Sequence, residues 1–488
     1  MEIPLVRFPG GTDVDYIDWR DMIDHVPGRE GPRPATRRRA DRFITNRFGY
    51  DEYFNVRDEM GWQTILVVNL LDGLARRRPL KEAALQAAGL VAYCNAPVGA
   101  PLPEGMPDWP AIRAKNGRSL PWGVQYVQLG NEMWMSYAQE QVRKATGLDG
   151  EALARWYIEV YRSFIRAIRD VDPQVEIILC RWNAPEHSRT VLTDPYIRSQ
   201  VRYLAEHAYA PGPANRIQDP TGQPADTSGW TDATWWWIWA TMPGAHDESG
   251  QNIAFGPSLQ EVAELGYYLA ATEWNWNGWN WERLGGGFDA PAAGAIGAAG
   301  WIHGMMRQGE IIRIATQSIL LGIRWPIAAI FGPSGGTGEP FYNPQGFVTT
   351  FYRKHHGDHR LQTELNGVEI RPQPFRVGWG APQSGVAVLD VLATANEKTV
   401  YIHAINRDFE REYPLEIRWA GAWKVAERAD HHLLRCALRS EAGAPAGKGL
   451  VTIETQPASV KSKMVIHLPP RSVSILEVPR LDSGSDLP

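Results

Sequence analysis

The chain has 488 residues, a formal net charge of −5 and an isoelectric point near 6.2, with 44% hydrophobic and 22% charged residues. This composition is ordinary for a soluble globular protein, and the length suffices for two domains. The charge balance argues against nucleic acid or an anionic membrane surface as the main partner. The chain contains 21 tryptophans, an unusually large number. Indole rings are flat platforms for the apolar faces of sugars, so this composition weakly favours a carbohydrate ligand.

Cysteine usage and the N-terminal segment bear on the cellular compartment. Cys94, Cys180 and Cys436 are far apart and odd in number, so neither a disulfide framework nor a CxxC zinc pattern is predicted. No apolar run of about 18 residues would span a membrane. The first residues, MEIPLVRFPGG, lack the basic and apolar regions of a secretion signal. We therefore predict a cytoplasmic protein without a membrane segment.

Seven short apolar segments alternate with helical segments between the N-terminus and about residue 330. The predicted strands are PLVRFPGG near the N-terminus, followed by 62–70, 124–132, 175–183, 201–209, 267–275 and 311–319. Helices are predicted over 79–95 and 150–173, and apolar residues in the second recur at 3.6-residue spacing until a proline ends it. Strands that alternate with helices predict a parallel sheet covered by helices.

Polar side chains collect at the C-terminal ends of these predicted strands. They are Asn69, Asn131, Glu132, Asn183, His207, Glu273 and Asn275. In a (β/α)8 TIM barrel this end of the strands holds the active site, and a doubly wound sheet would also place ligands there. No glycine-rich phosphate turn follows the first strand, so the barrel is the favoured architecture.

The sequence texture changes after about residue 345. Segments such as SGVAVLDVLATA, KTVYIHAINR and SVSILEVPR alternate apolar and polar residues between turns, which predicts an antiparallel all-β sandwich. We therefore predict an α/β class chain with a TIM-barrel catalytic domain over 1–340, a C-terminal β-sandwich over 341–480 and a loose tail over 481–488.

Two carboxylic acids follow apolar strands in a similar way. Glu132 stands in YVQLGNEMW and Glu273 in YYLAATEWNWNGW, after the third and sixth predicted strands. A lone acid at such a position more often forms a salt bridge than serves in catalysis. Two acids that converge among Trp and Asn side chains suit glycosidic bond cleavage, where one donates a proton and the other attacks or activates water.

The motifs around these acids resemble clan A glycoside hydrolases, and most of all the α-L-arabinofuranosidase family, glycoside hydrolase family 51. LGNEMW resembles the acid/base motif, TEWNWNGW the nucleophile motif, and LAEHAY the strand with a His and a Tyr beside the pair. VRFPGGTDVDYIDWRDMI, NRFGYDEYFNVRDEMG, VVNLLDG, FYRKHHGD and LPPRSVSILEV resemble further segments of the family in the same order.

The resemblance implies a retaining glycoside hydrolase that releases terminal α-L-arabinofuranosyl residues. It implies that Glu132 is the general acid/base and Glu273 the nucleophile. The substrate-binding side chains that it implies or that accompany the two acids are Asn69, Asn131, Trp134, His207, Tyr209 and Asn275. Asn131 would hold the sugar 2-hydroxyl, and Tyr209 would keep Glu273 ionised. A strand-end histidine with satisfied hydrogen bonds is the alternative for His207.

Three departures from the family pattern bear on sugar preference. The family's first strand–helix unit would precede PLVRFPGG, so we expect either a strand of Leu5–Phe8 beside Ile312–Thr316 or a gap between them. Ile319 and Gly322 take the positions of the family's Gln and Asn after the last strand. The segment 232–244, DATWWWIWATMPG, is longer and more aromatic than expected for the family. We expect half of its tryptophans to lie in the core and at least one to stack on sugar.

Other motifs are weaker. His355, His356 and His359 resemble a metal cluster, but they lie in the FYRKHHGD segment, so we predict no metal site and no cofactor. The glycine-rich GPSGGTG (332–338) lacks a P-loop lysine and is interpreted as a loop near the barrel mouth. The predicted partner is a carbohydrate, and self-association is left open. Two rival functions remain, a β-glucan or xylan hydrolase with the same acids and a non-catalytic carbohydrate-binding protein.

Overall fold

The computed structural model describes residues 2–37, 43–180, 185–212, 216–241, 245–277, 288–323, 327–332, 338–419, 424–440, 444 and 447–481. The chain forms two compact units. The N-terminal unit comprises 3–207 and 261–272, and the C-terminal unit comprises 1–2, 208–260 and 273–488. Asn183, the end of the Trp-rich segment, most of the glycine-rich loop and residues 482–488 of the predicted tail lie outside the described residues.

The first part of the chain alternates strands and helices as the sequence predicts. The strands are β1 (Leu5–Phe8), β2 (Thr36–Arg37), β3 (Phe43–Ile44), β4 (Gln63–Val68), β5 (Tyr126–Leu129), β6 (Glu176–Cys180) and β7 (Val201–Pro211). The helices are α1 (Tyr50–Met60), α2 (Leu71–Leu74), α3 (Leu80–Asn95), α4 (Trp109–Lys115), α5 (Ser136–Thr146), α6 (Gly150–Val171), α7 (Pro185–Leu192) and α8 (Pro195–Gln200), with 3-10 turns at Thr12–Tyr16 and Trp19–Met22.

Local sequence explains the longest helix of this unit. Leu153, Tyr157, Val160 and Phe164 of α6 are fully buried, and their spacing of three to four residues places them on one helix face. The side chain of Asp149 accepts the backbone N–H of Gly150 at the start of the helix. The helix ends shortly before a proline, as the sequence predicts. Helices α3 and α6 pack against each other.

The middle of the chain contains the last barrel strands and several short elements. The strands are β8 (Ile217–Gln218), β9 (Ala245–His246), β10 (Asn252–Ile253), β11 (Tyr268–Asn277), β12 (Ile312–Gln317), β13 (Leu321–Gly322), β14 (Ile330–Phe331) and β15 (Phe341–Tyr342). The helices are α9 (Asp232–Thr241), α10 (Pro257–Glu264), α11 (Ala290–Arg307) and α12 (Pro344–Lys354).

All seven predicted barrel strands are present. In the described part of the chain they form a seven-stranded sheet in the order β1-β4-β5-β6-β7-β11-β12, a nearly closed parallel barrel with helices. The register pairs Phe8 with Leu66 and Leu129 with Leu179, so the strands are in phase at their C-terminal ends. β1 and β12 are the end strands of this sheet within the described part of the chain.

The C-terminal region is rich in β-strands, as the sequence predicts. The strands are β16 (His359–Leu361), β17 (Ile370–Gln373), β18 (Arg376–Val377), β19 (Gln383–Ala387), β20 (Leu389–Ala395), β21 (Thr399–Asn406), β22 (Tyr413–Arg418), β23 (Arg428–Cys436), β24 (Val451–Ser459), β25 (Lys463–Leu468) and β26 (Ser472–Pro479). A six-stranded sheet has the order β16-β20-β21-β26-β23-β24, and β22 pairs with β25. The segments predicted from sequence do not include β16, β17, β18 or β23.

The two faces of the six-stranded sheet differ in chemistry, because successive side chains of a strand point to opposite faces. One face packs into an apolar core that includes Val400, Ile402, Leu476 and Val478 together with Ile417 and Ile466 of the β22–β25 pair. The other face carries polar side chains, among them His403, His432 and Glu477, and α12 packs near β23.

The Trp-rich segment forms helix α9. Trp235, Trp236 and Trp239 are buried, and the Trp236 indole N–H donates to the backbone oxygen of Arg407 at 2.8 Å. Trp237 is partly exposed and donates to the oxygen of Pro372 at 3.1 Å. Buried rings cannot stack on a sugar, so three of these four tryptophans are core residues, more than the half predicted.

No helix in the described ranges is both long and apolar enough to cross a membrane.

Candidate active site

A strained turn at the end of β5 carries the first acid. Gly130 has φ 75° and Glu132 has φ 47°, both in the left-handed region that side chains other than glycine rarely adopt. A Cβ atom on Gly130 would lie 2.9 Å from Cβ of Leu70, so only glycine fits here. A positive φ at Glu132 costs on the order of 1–3 kcal/mol and is found mainly where a side chain must be aimed.

His207 of β7 fixes the carboxyl group of Glu132. Its Nδ1 lies 2.9 Å from Oε1 of Glu132, and its Nε2 lies 3.2 Å from the hydroxyl oxygen of Thr272. The ring of Trp134 meets the imidazole edge to face at 5.1 Å. Only 3% of the His207 side chain is exposed, whereas 19% of the Glu132 side chain is. The structure therefore brings Glu132, Trp134 and His207 together, with the Glu132 side chain partly exposed.

Asn131 is held from the side of β1. Arg7 donates from Nη2 to Oδ1 of Asn131 at 2.7 Å and from Nε to Oε1 of Gln128 at 2.9 Å. The Gln128 amide in turn donates to the oxygen of Gly130 at 2.9 Å. These bonds fix the amide of Asn131 with its amino group free, since Nδ2 has no hydrogen-bond partner among the described residues. A buried donor of this kind suits a substrate hydroxyl.

The side chain of Asp15 accepts a hydrogen bond from the same turn. Its Oδ2 accepts the backbone N–H of Asn131 at 3.1 Å, and its Oδ1 accepts those of Leu70 at 3.2 Å and Leu71 at 3.4 Å. The side chain is fully buried. Burial raises the pKa of Asp15 to about 7, although the three backbone N–H groups favour the ionised form. One carboxyl group thus ties the turn after β4 to the turn after β5.

Glu273 lies in the C-terminal unit, in the second half of β11. The hydroxyl of Tyr209 donates to Oε2 of Glu273 at 2.7 Å. A hydrogen bond donated to a carboxylate favours its ionised form. The structure therefore joins the predicted pair of Tyr209 and Glu273.

The remaining two predicted residues take part in local hydrogen bonds. Asn69 accepts the N–H of Asp72 at 3.0 Å, at the beginning of α2, and its Nδ2 lies 3.4 Å from the oxygen of Ile17. Asn275 is fully buried, and its amino group donates to the oxygens of Ser318 and Ile327. Their predicted contacts with substrate stay predictions.

Sequence reasoning missed Arg7, Asp15, Gln128 and Thr272. Arg7 is the one charged residue within the short strand LVRF, and Asp15 lies in GGTDVDY directly after the first predicted strand. A charged residue within or directly after an apolar strand was the sequence feature that could have identified them. Arg7 contacts residues more than 120 positions away, and only the folded barrel defines that contact.

Comparisons with known proteins identify the family that the sequence resembles. Residues 1–216 match the family model described as the Alpha-L-arabinofuranosidase 1 domain. The chain is 29% identical over 188 residues to alpha-L-arabinofuranosidase C of Emericella nidulans, covering 38% of this chain and 31% of that protein. It is 29% identical over 221 residues to the intracellular exo-alpha-(1->5)-L-arabinofuranosidase of Streptomyces lividans, covering 43% of this chain and 28% of that protein. The chain thus spans about a third or less of the length of both curated relatives.

The fold extends this similarity over nearly the whole chain. The structure of the alpha-L-arabinofuranosidase from Thermotoga maritima, solved as an arabinose complex, superposes with a TM-score of 0.71 at 19% identity. The superposition covers 98% of this chain and 88% of that one, so the barrel and the β-rich C-terminal region are both shared. Together these matches confirm the resemblance predicted from the motifs, that of a clan A glycoside hydrolase most similar to the α-L-arabinofuranosidase family, glycoside hydrolase family 51.

Proposed function

We propose that the protein is a retaining glycoside hydrolase that releases terminal α-L-arabinofuranosyl residues from polysaccharides or oligosaccharides. The observation that carries the proposal is the bond from Tyr209 to Glu273, because a carboxylate must stay ionised to act as nucleophile. The location of Glu132 after β5, aimed by a positive φ and bonded to His207, supports its role as acid/base. The family resemblance supports the sugar.

The reaction proceeds in two displacements. Glu132 donates its proton to the glycosidic oxygen while Glu273 attacks the anomeric carbon, so the leaving group departs as an alcohol and a covalent glycosyl-enzyme forms. Glu132, now ionised, removes a proton from water, which attacks the same carbon and frees Glu273. The free amino group of Asn131 donates to the sugar 2-hydroxyl, a contact that strengthens in the transition state. We expect the two carboxyl groups to lie about 5–5.5 Å apart, as double displacement requires.

A substrate panel with two variants tests the proposal. Purified protein is assayed on p-nitrophenyl arabinofuranoside, xyloside and glucoside, with Glu273→Ala and Glu132→Ala in parallel. Glu273→Ala should lose turnover of every substrate, by about 10⁴-fold or more, and azide should restore it by replacing the carboxylate as nucleophile. Glu132→Ala should retain activity on p-nitrophenyl substrates, whose leaving group needs little protonation.

The outcomes separate the rival functions. Activity on the arabinofuranoside alone supports the proposal, whereas activity mainly on the glucoside or xyloside indicates a β-glucan or xylan hydrolase. Binding of these sugars without turnover indicates a carbohydrate-binding protein. Equal behaviour of both variants on all substrates would refute the division of roles. The hypothesis of a β-glucan or xylan hydrolase was favoured by tryptophans that could stack on sugar rings. Trp235, Trp236 and Trp239 are buried and cannot do so.

We further propose that the protein acts in the cytoplasm. The Streptomyces lividans relative is named as an intracellular enzyme. Cell fractionation of the native host with an antibody against the chain tests this location, and recovery from the culture medium would contradict it.

A further inference from the structure

A cluster of three side chains lies on the polar face of the six-stranded sheet. Nδ1 of His355 and Nε2 of His432 lie 2.9 Å and 3.3 Å from the same oxygen, Oε2 of Glu477. The two imidazole rings are stacked with centroids 3.8 Å apart and planes 27° apart. His355 directly follows α12, His432 is in β23 and Glu477 is in β26. Three separate parts of the chain thus bring one possible ligand atom each within 4.8 Å of the other two.

The spacing of these atoms matches a small tetrahedral metal site. Zn²⁺ binds histidine nitrogens and carboxylate oxygens at roughly 2.0–2.2 Å, which puts neighbouring ligand atoms of a tetrahedron about 3.4 Å apart. The two nitrogen–oxygen distances, 2.9 Å and 3.3 Å, need to open by only a few tenths of an ångström. Imidazole nitrogens with one carboxylate are typical zinc ligands, whereas Ca²⁺ and Mg²⁺ prefer all-oxygen sites.

The surroundings of the cluster also suit a cation. The second nitrogen of His432, Nδ1, lies 2.9 Å from the hydroxyl oxygen of Thr455, and such an outer bond orients a ligating histidine. His355 occupies the C-terminal end of α12, where the helix dipole favours positive charge. The exposed fractions of the side chains are 19% for His355, 10% for His432 and 30% for Glu477, so an ion can enter from solvent.

We propose that His355, His432 and Glu477 form a divalent transition-metal site that takes Zn²⁺ with a water molecule as fourth ligand. The ion replaces the protons between the imidazoles and the carboxylate and ties the end of α12 to β23 and β26. The site is structural and does not depend on the proposed glycosidase activity. His356 does not join it, since its Nδ1 lies 3.1 Å from the backbone oxygen of Arg353.

Metal binding to the full-length protein tests the site. Chelator-treated protein is unfolded by heat with and without Zn²⁺, and Co²⁺ is titrated while its visible absorption is recorded. In wild type, Zn²⁺ at a large excess over its Kd should raise Tm by about 2–5 °C, and Co²⁺ should give the intense bands of tetrahedral coordination. His432→Gln and Glu477→Gln should lose both signals. His356→Gln, one residue from a proposed ligand, should keep both.

Two results would overturn the proposal. One is a zinc shift of equal size in wild type and both cluster variants, which would place the bound metal elsewhere. The other is the absence of any shift or cobalt band in wild type, which would make the cluster an ordinary pair of histidine–glutamate hydrogen bonds. Glu477 is the more exposed of the two substituted residues, so Glu477→Gln keeps the test valid if His432→Gln fails to fold.

Discussion

The turn after β5 and the core of the C-terminal sandwich are stabilised in opposite ways. The core is mostly aliphatic, with Leu476 and Val478 fully buried, and only a few polar side chains such as Asn406 and Ser474 are buried on the same sheet face. The turn buries Asp15 and Asn131 and holds Glu132 at a positive φ. Buried polar groups and strained backbone are costly, so they indicate where the chain gives up stability for chemistry.

Truncating the core gives the largest expected effect on stability. Leu476→Ala removes a fully buried side chain from the sandwich and should lower the free energy of unfolding by about 2–5 kcal/mol, through lost burial and a cavity. Urea unfolding at fixed pH measures this change. Activity per folded molecule should stay unchanged, and the exposed Val465→Ala is the matched control. A loss below 0.5 kcal/mol would mean that the core tolerates cavities as a surface does.

The buried carboxyl group of Asp15 predicts that the free energy of unfolding depends on pH. Its folded pKa of about 7 is above the value near 3.9 of an unfolded aspartate, so the folded state binds the extra proton. This contribution to stability is fully present below about pH 4 and is lost as the pH rises through 7.

Comparison with Asp15→Asn isolates this contribution to stability. Between about pH 4 and pH 7 it changes by at most about 4 kcal/mol. The difference in free energy of unfolding between wild type and variant should decrease as the pH rises from 5 to 8. Urea titrations at each pH provide the measurement. A difference that grows with pH would show that the three backbone N–H groups outweigh burial and that Asp15 is ionised.

Gly130 tests the backbone of the turn. Gly130→Ala places a Cβ against Leu70 in a conformation that alanine rarely adopts, and should cost about 1–3 kcal/mol. Activity should also fall, since the displaced turn carries Glu132. Gly222→Ala is the control, because its φ of 84° is equally positive while no atom lies within 4 Å of the added Cβ. Equal losses would show that strain alone, and not the contact with Leu70, restricts position 130.

Tyr209 gives the smallest effect and the most specific one. Tyr209→Phe removes one hydrogen bond to Glu273 and should reduce kcat about tenfold, which corresponds to roughly 1.4 kcal/mol. The acidic limb of the pH–rate profile should move to higher pH, because the ionised carboxylate loses a donor. The profile is measured with p-nitrophenyl arabinofuranoside. A uniform loss of rate without movement of the limb would contradict this role.

Elements and motifs that depend on local sequence could be predicted, and long-range contacts could not. The seven barrel strands and Glu132 follow from apolar segments and their polar ends, because parallel strands have a strong local signature. The histidines show the limit: the sequence grouped His355 with His356 and His359, whereas the fold pairs it with His432 and Glu477. Strand β23 was missed because RADHHLLRC mixes charges and histidines without clear alternation.

The Trp-rich helix α9 shows the same limit for a whole segment. Composition alone favoured sugar stacking, but the indole N–H groups of Trp236 and Trp237 find backbone oxygens within the C-terminal unit. A large aromatic ring gains more from burial than a surface position offers, and its polar atom then needs a partner. Which backbone oxygen supplies that partner is fixed only when the chain has folded.

The edge of the six-stranded sheet has a consequence for behaviour at high concentration. β24 is an end strand, nearly all of its side chains are exposed, and it contains Pro457 and Glu454. Proline has no N–H to offer an incoming strand, and a charged side chain opposes a neighbouring copy of itself. At the opposite edge, β16 is only three residues long. The sheet is therefore protected against edge-to-edge aggregation, and replacing Pro457 and Glu454 with threonine would remove that protection from β24.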